Sequence, residues 1–139
     1  MPVTTTTPGL NLLRLEESLS VAHLRLFSTY IEHLSWRDCI ERYDHPHTFF
    51  YMDPPYWQTE GYGVPFGIVQ YEEMARMLAK LKGKAIISLN DHSDIRRIFA
   101  DYHIETTDIR HTVGGGKGSD AKEVLIFCWD VDAEPAGLF

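Results

Sequence analysis

Asp53-Pro54-Pro55-Tyr56 sets a carboxylate, two rigid residues and an aromatic ring side by side. The tetrapeptide follows His47-Thr48-Phe49-Phe50-Tyr51-Met52, a β-branched and aromatic run that predicts a buried strand. Two successive prolines end a hydrogen-bond ladder and fix the direction in which the chain leaves. In an open α/β sheet, ligands bind outside the carboxyl ends of the strands. The cluster therefore suits a flat heterocycle carrying an exocyclic amine. Asp53 and a proline carbonyl accept its two N–H bonds, and Tyr56 stacks on its face. The same residues also satisfy a plain Pro-rich turn, so the elements around them must decide between the two.

Those elements are legible as periodicity. Leu12, Leu15, Leu19, Ala22 and Leu26 recur at three- and four-residue intervals and predict a helix with one apolar packing face. Thr29 to His33 reads as a short strand. Ser35, with Asp38 three residues on, predicts a capped second helix whose inner face carries Trp36, Cys39, Ile40 and Tyr43. Asp44-His45-Pro46 is a turn. A loop from Trp57 to about Val69 takes freedom from Gly61, Gly63 and Gly67 and rings from Trp57, Tyr62 and Phe66. Tyr71, Met74, Ala75, Leu78 and Leu81 mark an amphipathic helix, with Gly83 as its stop.

Lys84 to Leu89 reads as a second buried strand with Asn90-Asp91-His92 at its end. Asp91 or Ser93 caps the next helix, where Ile95, Ile98 and Phe99 point inward. Two last strands, near Glu105–Val113 and Glu123–Trp129, flank the linker Gly114 to Ser119. Alternating helices and strands predict an α/β fold with a mostly parallel sheet, closed at one side by an antiparallel hairpin. Residues 1–11 read as a tail, 12–132 as one region and 133–139 as a second tail.

The 139 residues, 44% of them hydrophobic, suffice for one domain with a real core. No apolar run reaches membrane-spanning length, and Met1 to Thr7 has no signal-peptide pattern. Cys39 and Cys128 are too few for a disulfide framework and sit in apolar patterns, which points to core positions and a reducing, cytoplasmic setting. His45-Pro46-His47 lacks a third ligand at a useful spacing, so no metal site is expected. The net charge of −7 argues against tight phosphate binding by this chain alone. It still leaves room for a pocket that holds one base.

Several segments, taken in order, resemble the Dam-like, or D12, class of DNA adenine-N6 methyltransferases. They are Ala22-His23-Leu24-Arg25-Leu26, Ile31-Glu32, Arg42-Tyr43-Asp44 and Phe50 to Trp57, then Gly83-Lys84, Ser88-Leu89-Asn90-Asp91-His92 and Glu123-Val124-Leu125-Ile126. The resemblance covers roughly residues 12 to 130. It implies a partial Rossmann-like fold that uses S-adenosylmethionine, with double-stranded DNA as partner and a flipped adenine as target. Carried over, Asp53 accepts a hydrogen bond from N6, the Pro54 carbonyl accepts the other, Pro55 stiffens the turn and Tyr56 stacks on the base. The two acceptors draw the N6 lone pair out of conjugation for in-line attack on the methyl sulfonium.

The resemblance also places Ser35, Trp36 and Asp53 beside the cofactor, although Trp36 fits packing within its own helix equally well. Trp57, Tyr62 and Phe66 either close over the base or anchor their loop. Asn90 and Asp91 line the base pocket, unless Asp91 serves only as a helix cap.

The chain departs from that class in three respects. It has no strand followed by a Phe-x-Gly-x-Gly turn, no second acidic residue for the ribose and no target-recognition domain. Its one Gly-rich run, Gly114 to Gly118, lies between the last two strands and precedes no helix. The expectation is thus the back portion of a methyltransferase, whether a degraded gene, half of a split enzyme or an excised piece. Its sheet should expose an edge, and a partner chain with the front half, or self-association, should cover it. Two other readings fit the sequence: a non-catalytic remnant or interaction protein, and an RNA or guanine-N2 methyltransferase.

Overall fold

Lys84-Ala85-Ile86-Ile87-Ser88-Leu89-Asn90 alternates little between apolar and polar residues, the pattern of a strand covered on both faces. In the computed structural model this segment is one of the two inner strands of the sheet. The structure describes residues 12–59, 63, 65–109 and 121–133. Their elements are α1 (Leu12–Leu26), α2 (Trp36–Tyr43), β1 (Phe49–Met52), α3 (Ile68–Leu78), β2 (Lys84–Asn90), α4 (Ser93–Ile98), β3 (His103–Ile109) and β4 (Ala121–Phe127). The chain falls into two units, Met1–Cys39 and Ile40–Phe139.

The second unit carries a four-stranded open sheet of order β1-β2-β4-β3. β1 runs parallel to β2, with Tyr51 opposite Ile86 and Met52 opposite Ile87. β4 runs antiparallel to both β2 and β3. The mixed α/β class and the closing hairpin of β3 and β4 agree with expectation. The mostly parallel sheet does not, because β4 inserts between β2 and β3 and leaves a single parallel pair among the described strands.

Side chains alternate across a sheet, so paired residues share a face. Ile87 and Leu89 of β2 share one with Ile126 and Val124 of β4. All four are fully buried, as are Ala85, Tyr71 of α3, Ile95 of α4 and Phe99 at the end of that helix. This is the core. On the opposite face the strand starts carry an aromatic group. Trp129 meets Phe49 and Phe127 edge-on at 6.2 and 5.3 Å, and the Lys84 ammonium lies 5.3 Å from its ring centre.

β1 is shorter than expected and is not buried. As the edge strand it leaves Phe49 and Tyr51 more than half exposed. The strand expected over Thr29 to His33 does not form. Instead Thr29 closes the end of α1, its N–H bonding the Leu26 carbonyl at 2.9 Å. The α1 stripe expected to pack is exposed at Leu15, Leu19 and Leu26. Among the described residues, no helix is long and apolar enough to cross a membrane.

β1 and β2 are joined at their starts by a clasp. The Asp44 carboxylate, just past α2, accepts the N–H groups of Lys82 and Gly83 at 3.0 Å. The Thr48 carbonyl accepts the Lys84 N–H at 2.9 Å, and its hydroxyl donates to the Tyr43 carbonyl at 2.6 Å. Gly83 is therefore not the stop of α3, which ends at Leu78 with Ala79 as its cap. It is a point of close backbone approach, where a Cβ would collide with the Thr48 carbonyl oxygen and lie 2.8 Å from that of His45.

Two outcomes are expected of the clasp. Gly83→Ala must push backbone apart, at a cost of about 1–3 kcal/mol. Urea unfolding should show a lowered midpoint, and an unchanged midpoint would contradict the close approach. Burial pushes the Asp44 carboxyl up, but the Gly83 and Lys82 N–H groups, with the charges of Lys82 and His45, leave it below its ordinary value. A depressed carboxylate adds stability that is complete above its unfolded pKa, about 3.9, and is lost as pH falls through the folded value. Stability measured from about pH 6 downward should therefore fall less steeply in Asp44→Asn than in the wild type.

Candidate functional site

Pro54 and Pro55 donate no hydrogen bond, so the segment leaving β1 has to be held by its carbonyls and by Tyr56 and Trp57 beyond them. Three elements hold it. From α3, the Tyr71 hydroxyl donates to the Pro55 carbonyl at 2.6 Å. From the end of β2, Asn90 pairs with the Trp57 backbone in both directions. Its Oδ1 accepts the Trp57 N–H at 2.8 Å, and its Nδ2 donates to the Trp57 carbonyl at 2.9 Å. From β4, Glu123 accepts the Tyr56 hydroxyl on Oε1 at 2.5 Å.

The Glu123 carboxylate is 7% exposed and the Ser88 hydroxyl also donates to its Oε1. Ser88 itself is 1% exposed. Antiparallel register sets Asn90 directly opposite Glu123, so both lie at the carboxyl end of β2 on one face of the sheet. Burial first, then the bond to Glu123 and its charge, with the Asp53 charge adding, push the Tyr56 phenol well above its usual range. Tyr56 is therefore a neutral donor throughout the physiological range.

Asp53 stands at the mouth of this arrangement. Its carboxylate is exposed. Among the described residues no group hydrogen-bonds to that carboxylate or to the Pro54 carbonyl. Pro54 is buried and Pro55 and Tyr56 are half-buried, so the two acceptors lie on a rigid stem with a ring beside them.

The other expected site residues have mixed placements. Trp57 and Phe66 are anchors. Both rings meet Tyr71 edge-on, at 5.7 and 5.1 Å, and the Trp57 indole N–H donates to Asp94 at 3.1 Å. That bond is the chief reason the Asp94 carboxyl sits below its usual value. Asn90 belongs to the site as the clamp on Trp57. Asp91 is bound on both oxygens by Arg96, at 2.6 and 2.9 Å, and those bonds hold its carboxyl low. Neither Asp91 nor Ser93 caps α4. His92 does, its Nδ1 accepting the Asp94 N–H at 3.1 Å. Tyr62 lies outside the described residues.

Ser35 and Trp36 belong to the first unit. There Ser35 and Asp38 form the expected reciprocal start of α2. The Asp38 N–H donates to Ser35 Oγ at 3.2 Å, and that hydroxyl donates to the Asp38 carboxylate at 2.7 Å. Trp36 carries the Arg37 guanidinium 4.5 Å from its ring centre. The His45 and His47 rings stack at 5.9 Å, and no group of three metal-ligating side chains occurs among the described residues. Burial pushes the Cys128 thiol up, away from the thiolate form.

Glu123, Ser88, Tyr71 and Asp94 were not singled out as site residues by sequence. A faint signal existed for two of them. Ser88 interrupts an apolar run and Glu123 directly precedes one, and a polar residue in such a position must find a partner when buried.

Asn90→Ala should leave the Trp57 N–H and carbonyl without partners, at a cost of about 1–3 kcal/mol. Amide hydrogen exchange at Trp57 should accelerate and the urea midpoint should drop. Unchanged Trp57 protection would show that other groups hold the turn. No protein-family model matches the chain and no curated protein matches it, so the chemistry of the site rests on its geometry.

Proposed function

We propose that this chain is a catalytic region of an S-adenosylmethionine-dependent DNA adenine-N6 methyltransferase. The observation that carries the reading is the carboxyl end of β1. There the Asp53 carboxylate and the Pro54 carbonyl stand unbonded by any described residue, beside the tethered Tyr56 ring. An adenine amine has two N–H donors, one for each acceptor. Holding both turns the N6 lone pair toward an incoming methyl group, and the ring covers the base. The cofactor supplies the methyl as a sulfonium. Asp53 does not need to remove a proton before attack, because its part is to orient the amine and to stabilise the positive charge that develops on N6.

The parallel pairing of β1 with β2 supports the same reading, since the site then lies outside the carboxyl ends of two adjacent strands. The four-stranded arrangement is compatible with a Rossmann-like methyltransferase sheet, which we propose as its architecture. The acidic surroundings favour a neutral base and a cationic cofactor over a phosphate. Binding to the DNA backbone is then the task of a basic surface elsewhere. The two acceptors also suit the exocyclic amine of guanine or of an RNA base, and product analysis separates these.

One observation favours the second reading, a protein that works with a partner chain. Phe49 and Tyr51 on the edge strand are 52% and 61% exposed, a display of apolar surface that proteins normally cover.

The test is single-turnover methylation of adenine-containing duplex DNA, with N6-methyladenine as the product measured. Asp53→Ala should lower the rate about 100- to 1,000-fold, the loss that follows removal of a preorganised transition-state contact. A folded Asp53→Ala variant with wild-type turnover would leave the proline turn merely structural.

A further inference from the structure

We propose that Glu123 is a positioning residue for the base. Through the Tyr56 hydroxyl it sets the ring on which the base stacks, and so governs how tightly an adenine is held. This rests on the methyltransferase reading of the site and assigns a role to a residue outside the Asp-Pro-Pro-Tyr segment.

A carboxylate is costly to bury and needs compensation. Glu123 has no ion pair among the described residues. Its compensation comes from two hydroxyls, Ser88 and Tyr56, which both donate to Oε1. A carboxylate makes a charge-assisted bond, shorter and stronger than a neutral one. Ser88, almost wholly buried on the neighbouring strand, orients the carboxylate from the other side. The Tyr56 ring is consequently held at both ends, by the prolines at its backbone and by Glu123 at its hydroxyl. A ring already ordered loses less freedom when a base stacks on it, and that difference goes into affinity.

The experiment uses the full chain and a short single-stranded oligodeoxyadenylate, with oligodeoxythymidylate of the same length as control. Affinity is read by fluorescence anisotropy. The Tyr56 ring is read by fluorine NMR after 3-fluorotyrosine labelling, its signal assigned by Tyr56→Phe. Glu123→Ala should weaken the adenylate by about tenfold, a loss within the range of base–aromatic stacking. It should also shift and broaden the Tyr56 signal. Glu123→Gln, which keeps an acceptor, should recover most of the affinity. Tyr56→Phe keeps the ring and loses the tether. It should match Glu123→Ala, and the double variant should be no weaker than either, because both remove one interaction.

Equal affinity in wild type and Glu123→Ala, or additive losses in the double variant, would overturn the proposal. So would a wild type whose Tyr56 signal is unmoved by the adenylate. Should Glu123→Ala fail to fold, the comparison of Tyr56→Phe with Glu123→Gln decides the matter, since only the first should weaken binding strongly. Adenylate binding that depends on Glu123, in a chain that makes no N6-methyladenine when complemented with a cofactor-binding partner, would reject methyl transfer while the positioning role stands.

Discussion

Two consecutive prolines are the constraint on which the rest of the site depends. They stop β1 and cannot donate to any neighbour, so backbone pairing cannot hold the chain beyond Met52. The fold answers with side chains from three elements. Tyr71 takes the Pro55 carbonyl, Asn90 takes both polar groups of Trp57, and Glu123 takes the Tyr56 hydroxyl. Each comes from an element anchored in the same core, so the turn inherits the rigidity of the sheet. The Asp53 carboxylate, unbonded among the described residues, is left at the rim of a stiff frame.

Polar groups divide between frame and rim. Those that are buried, Ser88 and Glu123, are engaged with each other and with Tyr56. The carboxylates nearer solvent are mostly engaged as well, Asp91 by Arg96 and Asp94 by the Trp57 indole. Asp53 differs from them in being exposed and without a described partner. In a chain of net charge −7, this division separates carboxylates that build the frame from one that does not. Negative charge that is tied up structures the turn, and the carboxylate of Asp53 is the one left uncommitted among them.

The opposite end of the sheet has a different character. The clasp of Asp44, Thr48 and Gly83 binds the strand starts through one carboxylate, one hydroxyl and backbone groups at contact distance. Phe127 and Trp129 pack beside it, while Phe49 and Tyr51 on β1 remain open. Close backbone approach marks the strand starts, and long-range side-chain bonds mark the strand ends.

What the sequence determined by itself was local. The prolines ended β1, the Ser35–Asp38 pair started α2, and apolar spacing marked α1, α3 and α4 to within a few residues. These signals act within one or two turns of chain, where spacing and stereochemistry suffice. The candidate acceptors Asp53 and Pro54 were legible for the same reason. The tertiary structure alone decided which strands became neighbours. It set β4 beside β2, left β1 at the edge and formed no strand over Thr29 to His33. It also joined Tyr56 to Glu123 across 67 positions, and Trp57 to Asn90 across 33. A strand exists only when another lies beside it, and a buried carboxylate only when donors converge on it. Neither condition is written in the spacing of nearby residues, because both depend on chain segments that meet only once the core has formed.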